Sequence, residues 1–500
     1  MSALIQRKLA TPETIMTAAK QSSRCRVVPV RLRRAIKQFL RDEDVVHMKK
    51  KVLRLTDSFT QMKDVNRLLP LSISKDLVEH PLDLSNSNSN VRTSYSQSAL
   101  TYRDDQTAAY VASRMPAVFA ACFRVLREIR RRKPDFSPAK VLDFGSGTGS
   151  AFWALREVWP KSLQQVNLIE PSQSMQRAGV GLTRDMKNMP LIHSYGSIQS
   201  LTKDIKKSER PHDLVIASYV LGEIPSLKDR IAIVRQLWGL TRDILVLIEP
   251  GTPEGSHIIS QMRSHILWME KRKSRKRKEP SDEVAKDQSE DGAFIIAPCP
   301  HDGPCPLVNT GKFCHFVQRL QRTDSQRAYK KSNGAPMRGF EDEKFSYVVF
   351  QRGKRPQEPW PLDEIKFETL KEIQANRKPE DLEIDYEDLC ESDTEEIVPF
   401  QIPSSYDSSA TETEADADAV SEYEDEEAED DTGRADLGSG WGRIIFMPQR
   451  RGRRVEMDVC RATKRDGSEG SFEHLVITRG KNPALHRQAR KSLWGDLWPF

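Results

Sequence analysis

Val141-Leu-Asp-Phe-Gly145-Ser-Gly147-Thr-Gly149-Ser150 sets three glycines at alternate positions behind a short apolar run and an acid. Val141–Phe144 reads as a buried strand and Ser150–Trp159 as a helix stopped by Pro160, which makes the glycines the turn between them. Such a turn lets a small molecule approach the backbone closely at a helix start. The pattern is G-x-G-x-G, tighter than the dinucleotide pattern G-x-G-x-x-G, whose third glycine comes one position later. Asp143 at its entry is unfavourable beside a phosphate but suits an ammonium group. Glu170 stands 21 residues past Gly149 and ends the next apolar run, Gln165–Glu170. A carboxylate in that place can accept from both hydroxyls of a ribose.

Working outward, Asp213–Tyr219 and Ile244–Glu249 read as further strands, and Lys344–Gln351 as another beyond them. Apolar strands separated by helices predict a parallel sheet covered on both faces. Thr107–Arg132 reads as one helix, with Ala109, Ala112, Met115, Val118, Phe119 and Cys122 on a single face. The α/β pattern and the glycine loop together resemble class I S-adenosylmethionine-dependent methyltransferases, a Rossmann-like fold. That resemblance places Asp143 near the methionine amino group, Gly145, Gly147 and Gly149 beneath the cofactor, and Glu170 on the ribose. It also puts Ser218 and Tyr219 where such enzymes present catalytic groups. Ala217–Glu223 nevertheless lacks the Asn/Asp-Pro-Pro-aromatic signature of amino-group methylation and a cysteine to attack a pyrimidine ring, so no catalytic residue is assigned.

The net charge of +6 conceals two opposed regions. Glu380–Asp431 holds 23 acids and no Lys or Arg; without them the other 448 residues carry +29. A strongly basic body predicts a polyanionic partner, RNA foremost. The acidic stretch, rich in Ser and Thr, reads as a disordered insertion. Basic and hydroxyl residues before Asp42 resemble an organelle transit peptide. No apolar run approaches the roughly 18 residues of a membrane span, which predicts a soluble protein. Lys271–Lys278 has the composition of a nuclear import signal.

Seven cysteines are too few for a secreted disulfide framework in a chain this long. Three of them, Cys299, Cys305 and Cys314, fall in a Pro-rich C-x5-C-x8-C loop that can fix thiolates before a metal arrives. Structural zinc sites favour C-x2–4-C pairs, which are absent here. Cys-Pro steps are familiar from iron–sulfur loops, while His301 and His315 keep a zinc Cys3His site open. Cys25, Cys122, Cys390 and Cys460 are the candidates for a fourth thiolate. Cys460, on a strand of a small C-terminal β module containing Val455–Cys460 and His474–Thr478, fits best.

Several strings carry a narrower resemblance. They are Ser94-Tyr-Ser-Gln, Ala109-Tyr-Val-Ala-Ser-Arg-Met-Pro116, the glycine loop, Glu249-Pro-Gly-Thr-Pro-Glu-Gly255 and Ala297-Pro-Cys-Pro-His-Asp-Gly-Pro-Cys-Pro306. Lys344-Phe-Ser-Tyr-Val-Val-Phe350 and Ala489-Arg-Lys-Ser-Leu-Trp-Gly-Asp496 complete the set. From about residue 90 to the C-terminus, apart from the acidic insertion, the chain resembles the methyltransferase-like factors of mitochondrial small-ribosomal-subunit assembly, which have bacterial relatives. The resemblance implies a [4Fe–4S] cluster on Cys299, Cys305, Cys314 and Cys460, S-adenosylmethionine binding, and a mitochondrial matrix location. It further implies contact with small-subunit rRNA and the assembling small subunit, without a membrane. The domains expected are a basic region with a transit peptide (1–89), a methyltransferase-like domain (90–270) and a basic helix end, cysteine loop and strand (271–379). The acidic insertion (380–438) and the β module (439–500) follow, the module being joined to the rest by the cluster. An active rRNA methyltransferase and a nuclear zinc-dependent regulator are the alternative functions.

Overall fold

The computed structural model describes residues 12–22, 25–41, 45–67, 102–224, 226–277, 292–308, 310–330, 338–356 and 441–499. The Ser/Asn linker at 85–90, Cys390 and the acidic stretch lie outside them. Helices α1 (Pro12–Ala19), α2 (Val30–Phe39) and α3 (Val45–Arg67) come first. The expected helix at Thr107–Arg132 is two, α4 (Asp104–Ser113) and α5 (Met115–Arg132), meeting at 57°. Pro116 in the first turn of α5 has no N–H to continue the α4 ladder, and the break falls at Arg114.

The central region alternates: β1 (Lys140–Phe144), α6 (Ser150–Val158), β2 (Gln165–Ile169), α7 (Gln173–Thr183), β3 (Leu191–Tyr195), α8 (Ile198–Asp204), β4 (His212–Ser218), α9 (Leu227–Gly239) and β5 (Thr241–Pro250). Then follow α10 (Pro253–Arg277), β6 (Ala293–Ala297), β7 (Phe316–Gln321), α11 (Asp324–Tyr329) and β8 (Phe340–Arg352). They form one sheet in the order β3-β2-β1-β4-β5-β8-β6, with β7 also on β8. β1 to β5 are parallel, as expected. The expectation of a wholly parallel sheet is corrected at β8, which runs antiparallel to β5, β6 and β7. Alternate residues of the buried strands serve opposite cores. Val141 packs with α4, α5 and α6, whereas Leu142 and Phe144 pack with α9 and α10.

The C-terminal module is a second sheet. It comprises β9 (Gly442–Ile444), β10 (Gln449–Arg451), β11 (Arg454–Ala462), β12 (Gly470–Thr478) and β13 (Leu497–Trp498), with helix α12 (Pro483–Lys491). β11 is its spine, pairing β12 along its full length and both β9 and β10. Its own apolar cluster is small: Ile444, Val455, Met457, Val459, Ala489 and Trp498. Docking therefore depends on polar contacts with the large sheet. Arg443 in β9 forms a fully buried ion pair with Glu128 in α5, and Tyr347 of β8 donates to the same carboxylate at 2.6 Å. The Arg443 guanidinium also donates to the carbonyls of Pro298 and Gly495. Burial raises the Glu128 carboxyl, but Arg443 and Arg132 outweigh it and hold it below its ordinary value.

The N-terminal arm is woven into both sheets. Gln21 and Ser22 donate their backbone N–H groups to Asp496 at 2.9 Å each. Arg26 bridges to Leu320 in β7, exchanging backbone hydrogen bonds at 2.8 Å with Arg319 and Gln321.

Removing one partner of a buried ion pair leaves an uncompensated charge that costs about 3–5 kcal/mol. Arg443→Ala should therefore lower stability by roughly that much in chemical denaturation. The double change Glu128→Gln with Arg443→Met should recover a good part of the loss; a single variant as stable as wild type would remove the pair from its role in docking.

Candidate functional site

The glycine loop leaves β1 at the point where the strand order reverses between β2 and β4, the usual position of a ligand crevice in an open α/β sheet. Gly145, Gly147 and Gly149 all have positive φ, at 70°, 53° and 86°. A Cβ at Gly145 would meet Val220 at 2.6 Å, so this position excludes any larger residue. Glu170, just past β2, accepts from the N–H of Gly147 and the N–H of Ser172 at 2.9 Å each. A loop N–H of the kind that holds phosphates elsewhere is thus already occupied by a carboxylate.

A cavity of about 470 Å³ opens beside this loop, within the roughly 300–1,000 Å³ typical of small-molecule sites. Gly145, Gly147 and Glu170 line it; Gly149 does not, and instead caps α6. Thr56, Phe59 and Thr60 of α3 contribute to its wall. Six carboxylates face the cavity, Glu170, Glu223, Glu249, Glu254, Asp342 and Glu343, against Arg114, Lys330 and Lys344. Two of these cations are already committed. Arg114, at the break between α4 and α5, makes a bidentate pair with Glu343 at 3.0 Å on each arm, and Lys330 pairs with Glu341. The wall is therefore acidic and suited to a cationic ligand.

Asp143 is on the α5 side of the sheet, entirely buried, and does not line the cavity. Both its oxygens lack a hydrogen-bond partner, and burial, with Glu170 nearby, pushes its pKa up to about 7. It thus contributes from behind the loop rather than by contact. Burial also raises Glu170 and Glu249 to about 7 and Glu223 to about 8. Ser218 and Tyr219 do line the cavity at the end of β4. Tyr219 adopts φ of 57°, a conformation that costs a non-glycine residue about 1–3 kcal/mol. Its hydroxyl donates to Glu343 at 2.9 Å, and burial holds the phenol protonated far above its ordinary value.

The cysteines separate into two groups. Cys25 is exposed and Cys122 is buried in α5 near Asp143. Cys299, Cys305, Cys314 and Cys460 share one junction between the loop after β6 and strand β11. Cys305, Cys314 and Cys460 pack around Leu307 and Ile445. Burial raises the thiols of Cys305, Cys314 and Cys460, and each is raised further by Cys299. His301 is buried with Nε2 3.4 Å from the Cys460 sulfur. His315 instead stacks on Phe313 at 4.6 Å and meets Trp494 edge-on at 4.7 Å. Among the described residues no three His, Cys, Asp or Glu side chains are gathered closely enough to hold a metal ion.

The model of a family described as "Mitochondrial small ribosomal subunit Rsm22" matches residues 104–365 and 389–499, spanning both the cavity sheet and the cysteine module. The chain belongs to the Rsm22 family. The match resumes at residue 389, inside the acidic stretch. "Ribosome assembly protein METTL17, mitochondrial" of Homo sapiens is 32% identical over 302 residues, 58% of this chain and 60% of that protein. "Ribosome assembly protein RSM22, mitochondrial" of Saccharomyces cerevisiae is 23% identical over 477 residues, 78% of this chain and 66% of its own length. The chain thus spans less than two thirds of the curated relatives it matches. Among solved structures, the plantazolicin methyltransferase BpumL in complex with SAH covers 57% of this chain and 98% of its own, at 9% identity and a TM-score of 0.28. That score is too low to bear on the fold, which rests on the chain's own sheet order. The relatives are mitochondrial proteins and so is this one, which sets aside the nuclear alternative.

Within this Rsm22 member the glycine loop and Glu170 were legible in sequence, whereas Arg114, Tyr102, Glu249 and Glu343 were missed as cavity residues. Tyr102 donates to Glu223 at 2.8 Å. A signal for Arg114 existed in Pro116, which announced the break that turns it inward.

Asp143, Glu170, Glu223 and Glu249 all keep protons in the folded protein to higher pH than in the unfolded chain. These four groups therefore contribute stability that is present at low pH and is lost as pH rises from about 5 to about 8, while His212, lowered by burial to about 4, contributes with the opposite sign below about 6.5. Asp143→Asn should make the profile over this window less falling than wild type by roughly 2 kcal/mol, read from denaturation at each pH. A variant profile parallel to that of wild type would contradict a buried, protonated Asp143.

Proposed function

We propose that this protein is an assembly factor of the mitochondrial small ribosomal subunit that binds its rRNA. In this reading a methyltransferase-like sheet holds S-adenosylmethionine and a [4Fe–4S] junction holds the C-terminal module in place. The observation that carries the reading is the family match running through both the cavity sheet and the cysteine module. The relatives' names supply the ribosomal assembly role, and the basic body supplies the affinity for RNA.

The cavity's chemistry supports a sulfonium cofactor. Gly145, Gly147 and Glu170 would lie against it, and Asp143 would add negative potential from behind the loop. With the Gly147 N–H already bonded to Glu170, a pyrophosphate loses that loop donor and meets six carboxylates against three cations. S-adenosylmethionine carries a positive sulfur and an ammonium, so it gains from this wall what its neutral-sulfur product loses. The cofactor would supply a reactive methyl group, yet Tyr219 stands protonated and bound to Glu343 where catalytic groups are expected. That arrangement favours a scaffold or sensor over an active methyltransferase.

The donor set fits a cluster in residue type: four thiols meet at one junction, and Pro follows Cys299 and Cys305 directly, as in iron–sulfur loops. Cys299, Cys305, Cys314 and Cys460 would hold it, joining the loop to β11. Iron would supply the positive charge that lets four mutually repelling thiols ionise together.

Depleting the protein should reduce assembled mitochondrial small subunits on gradients while sparing large ones; an unchanged profile would reject the assembly role. In calorimetry at low salt, S-adenosylmethionine should bind about tenfold or more tightly than S-adenosylhomocysteine. Equal affinities would mean that the acidic wall does not act on the sulfonium. Cys305→Ser should lose iron, loosen the C-terminal module and abolish rRNA binding; an iron-free variant that binds rRNA normally would sink the structural role of the cluster.

A further inference from the structure

A second cavity, about 880 Å³, lies where the N-terminal arm meets the C-terminal module. Lys20 and Ser22 line it from the arm, Arg450 from β10, and Arg487, Arg490 and Lys491 from α12. Leu493 and Asp496 complete it. Half of the lining comes from the closing string Ala489–Asp496.

The one acid here is not free to neutralise the cations. Asp496 is buried and accepts from the N–H groups of Gln21, Ser22 and Leu493 and from the Ser22 hydroxyl. Two of the five cations are structural as well. Arg450 donates to the carbonyls of Arg490 and Ser492, and Arg490 reaches Gly452 at 3.3 Å. Arg490 and Lys491 also answer the carbonyl end of α12. Lys20 belongs to another element and Arg487 sits a turn further back. Lys20 accepts from Arg131 through its backbone carbonyl, but among the described residues no hydrogen bond or ion pair engages the side chain of Lys20, Arg487 or Lys491, and all three are exposed. The charge continues outward along exposed Arg451, Arg453 and Arg454 at the β10–β11 turn. Residues 441–499 hold thirteen Lys and Arg against six Asp and Glu.

We propose that this groove clamps backbone phosphates of RNA across the seam between the N-terminal arm and the C-terminal module. The proposal rests on the RNA-binding reading above and gives it a place. A concave surface with several unengaged cations matches a polyanion of regular charge spacing. No aromatic side chain lines it, so no platform for base stacking is present within it. Recognition here is therefore of the sugar–phosphate chain and tolerant of sequence. Because Asp496 fixes Gln21 and Ser22, the groove exists only when arm and module are docked.

The test uses the full chain and two labelled probes, a small-subunit rRNA helix and polyuridine. Arg487→Glu with Lys491→Glu is compared with Lys203→Glu and Lys207→Glu, exposed positions on α8 and the turn after it that impose the same change of net charge. The groove pair should bind both probes at least about tenfold more weakly, and its slope of log affinity against log salt should be shallower by about 2. The control pair should change far less, and both should melt with wild type. Equal losses in the two pairs would overturn the groove and leave RNA binding intact as a general charge effect. If the groove pair binds RNA normally but alone fails to join the assembling subunit, the partner is an acidic protein face and the phosphate clamp is wrong. Wild type that binds neither probe would overturn the groove together with the RNA-binding reading.

Discussion

One buried ion pair between Glu128 and Arg443 ties the protein's two sheets together. Two charges can leave water only when each finds the other and the surrounding hydrogen bonds are complete. Here Tyr347, Pro298 and Gly495 supply them, drawn from β8, the loop after β6 and the segment before β13. The pair thus orients the second sheet as well as attaching it. The apolar cluster of the C-terminal module is too small to fix an angle alone, and the thiol junction lies along the same seam. A rotation that separated Glu128 from Arg443 would also pull Cys460 away from the cysteine loop.

The cavity obeys a different constraint. Its carboxylates are buried without enough cations to balance them, so the ligand-free site is electrostatically poor. Glu170 meets part of this by accepting from the glycine loop, and Glu249 by accepting from Leu221 and Gly222. Glu343 uses Arg114 and Tyr219. Asp143 has nothing. Binding sites often carry such strain before their ligand arrives, and here its sign names the ligand's charge.

How much of this was readable in the sequence depended on distance along the chain. β1, the glycine loop, α6 and β2 are governed by neighbours, and their positions agree closely with the periodicity. β3 was missed because Leu191–Tyr195 is a half-exposed edge strand, whose mixed polarity hides the apolar run that marked its neighbours. β6 and β7 were missed as short strands beside a Cys-Pro-rich loop. The reversed direction of β8 has no local signature at all. The roles of Arg114, Glu343, Glu128 and Arg443 depend on partners 229 or 315 residues away. The four cysteines of the junction stand out in the sequence by residue type alone, which carries no spacing between their sulfurs.

The clasp between Gln21 and Asp496 spans 475 positions. A chain made from its N-terminus forward releases Gln21 and Ser22 long before the carboxylate that holds them. Arg26 can find β7 and Lys20 can find Arg131 earlier, but until Asp496 emerges the seam between arm and C-terminal module stays open. The chain therefore has to wait, and long-range closure of this kind folds slowly and exposes its edges meanwhile. The same clasp limits proteolytic maturation: a cut beyond Ser22 would remove a structural strut, whereas one upstream of it leaves the arm to lock the finished fold.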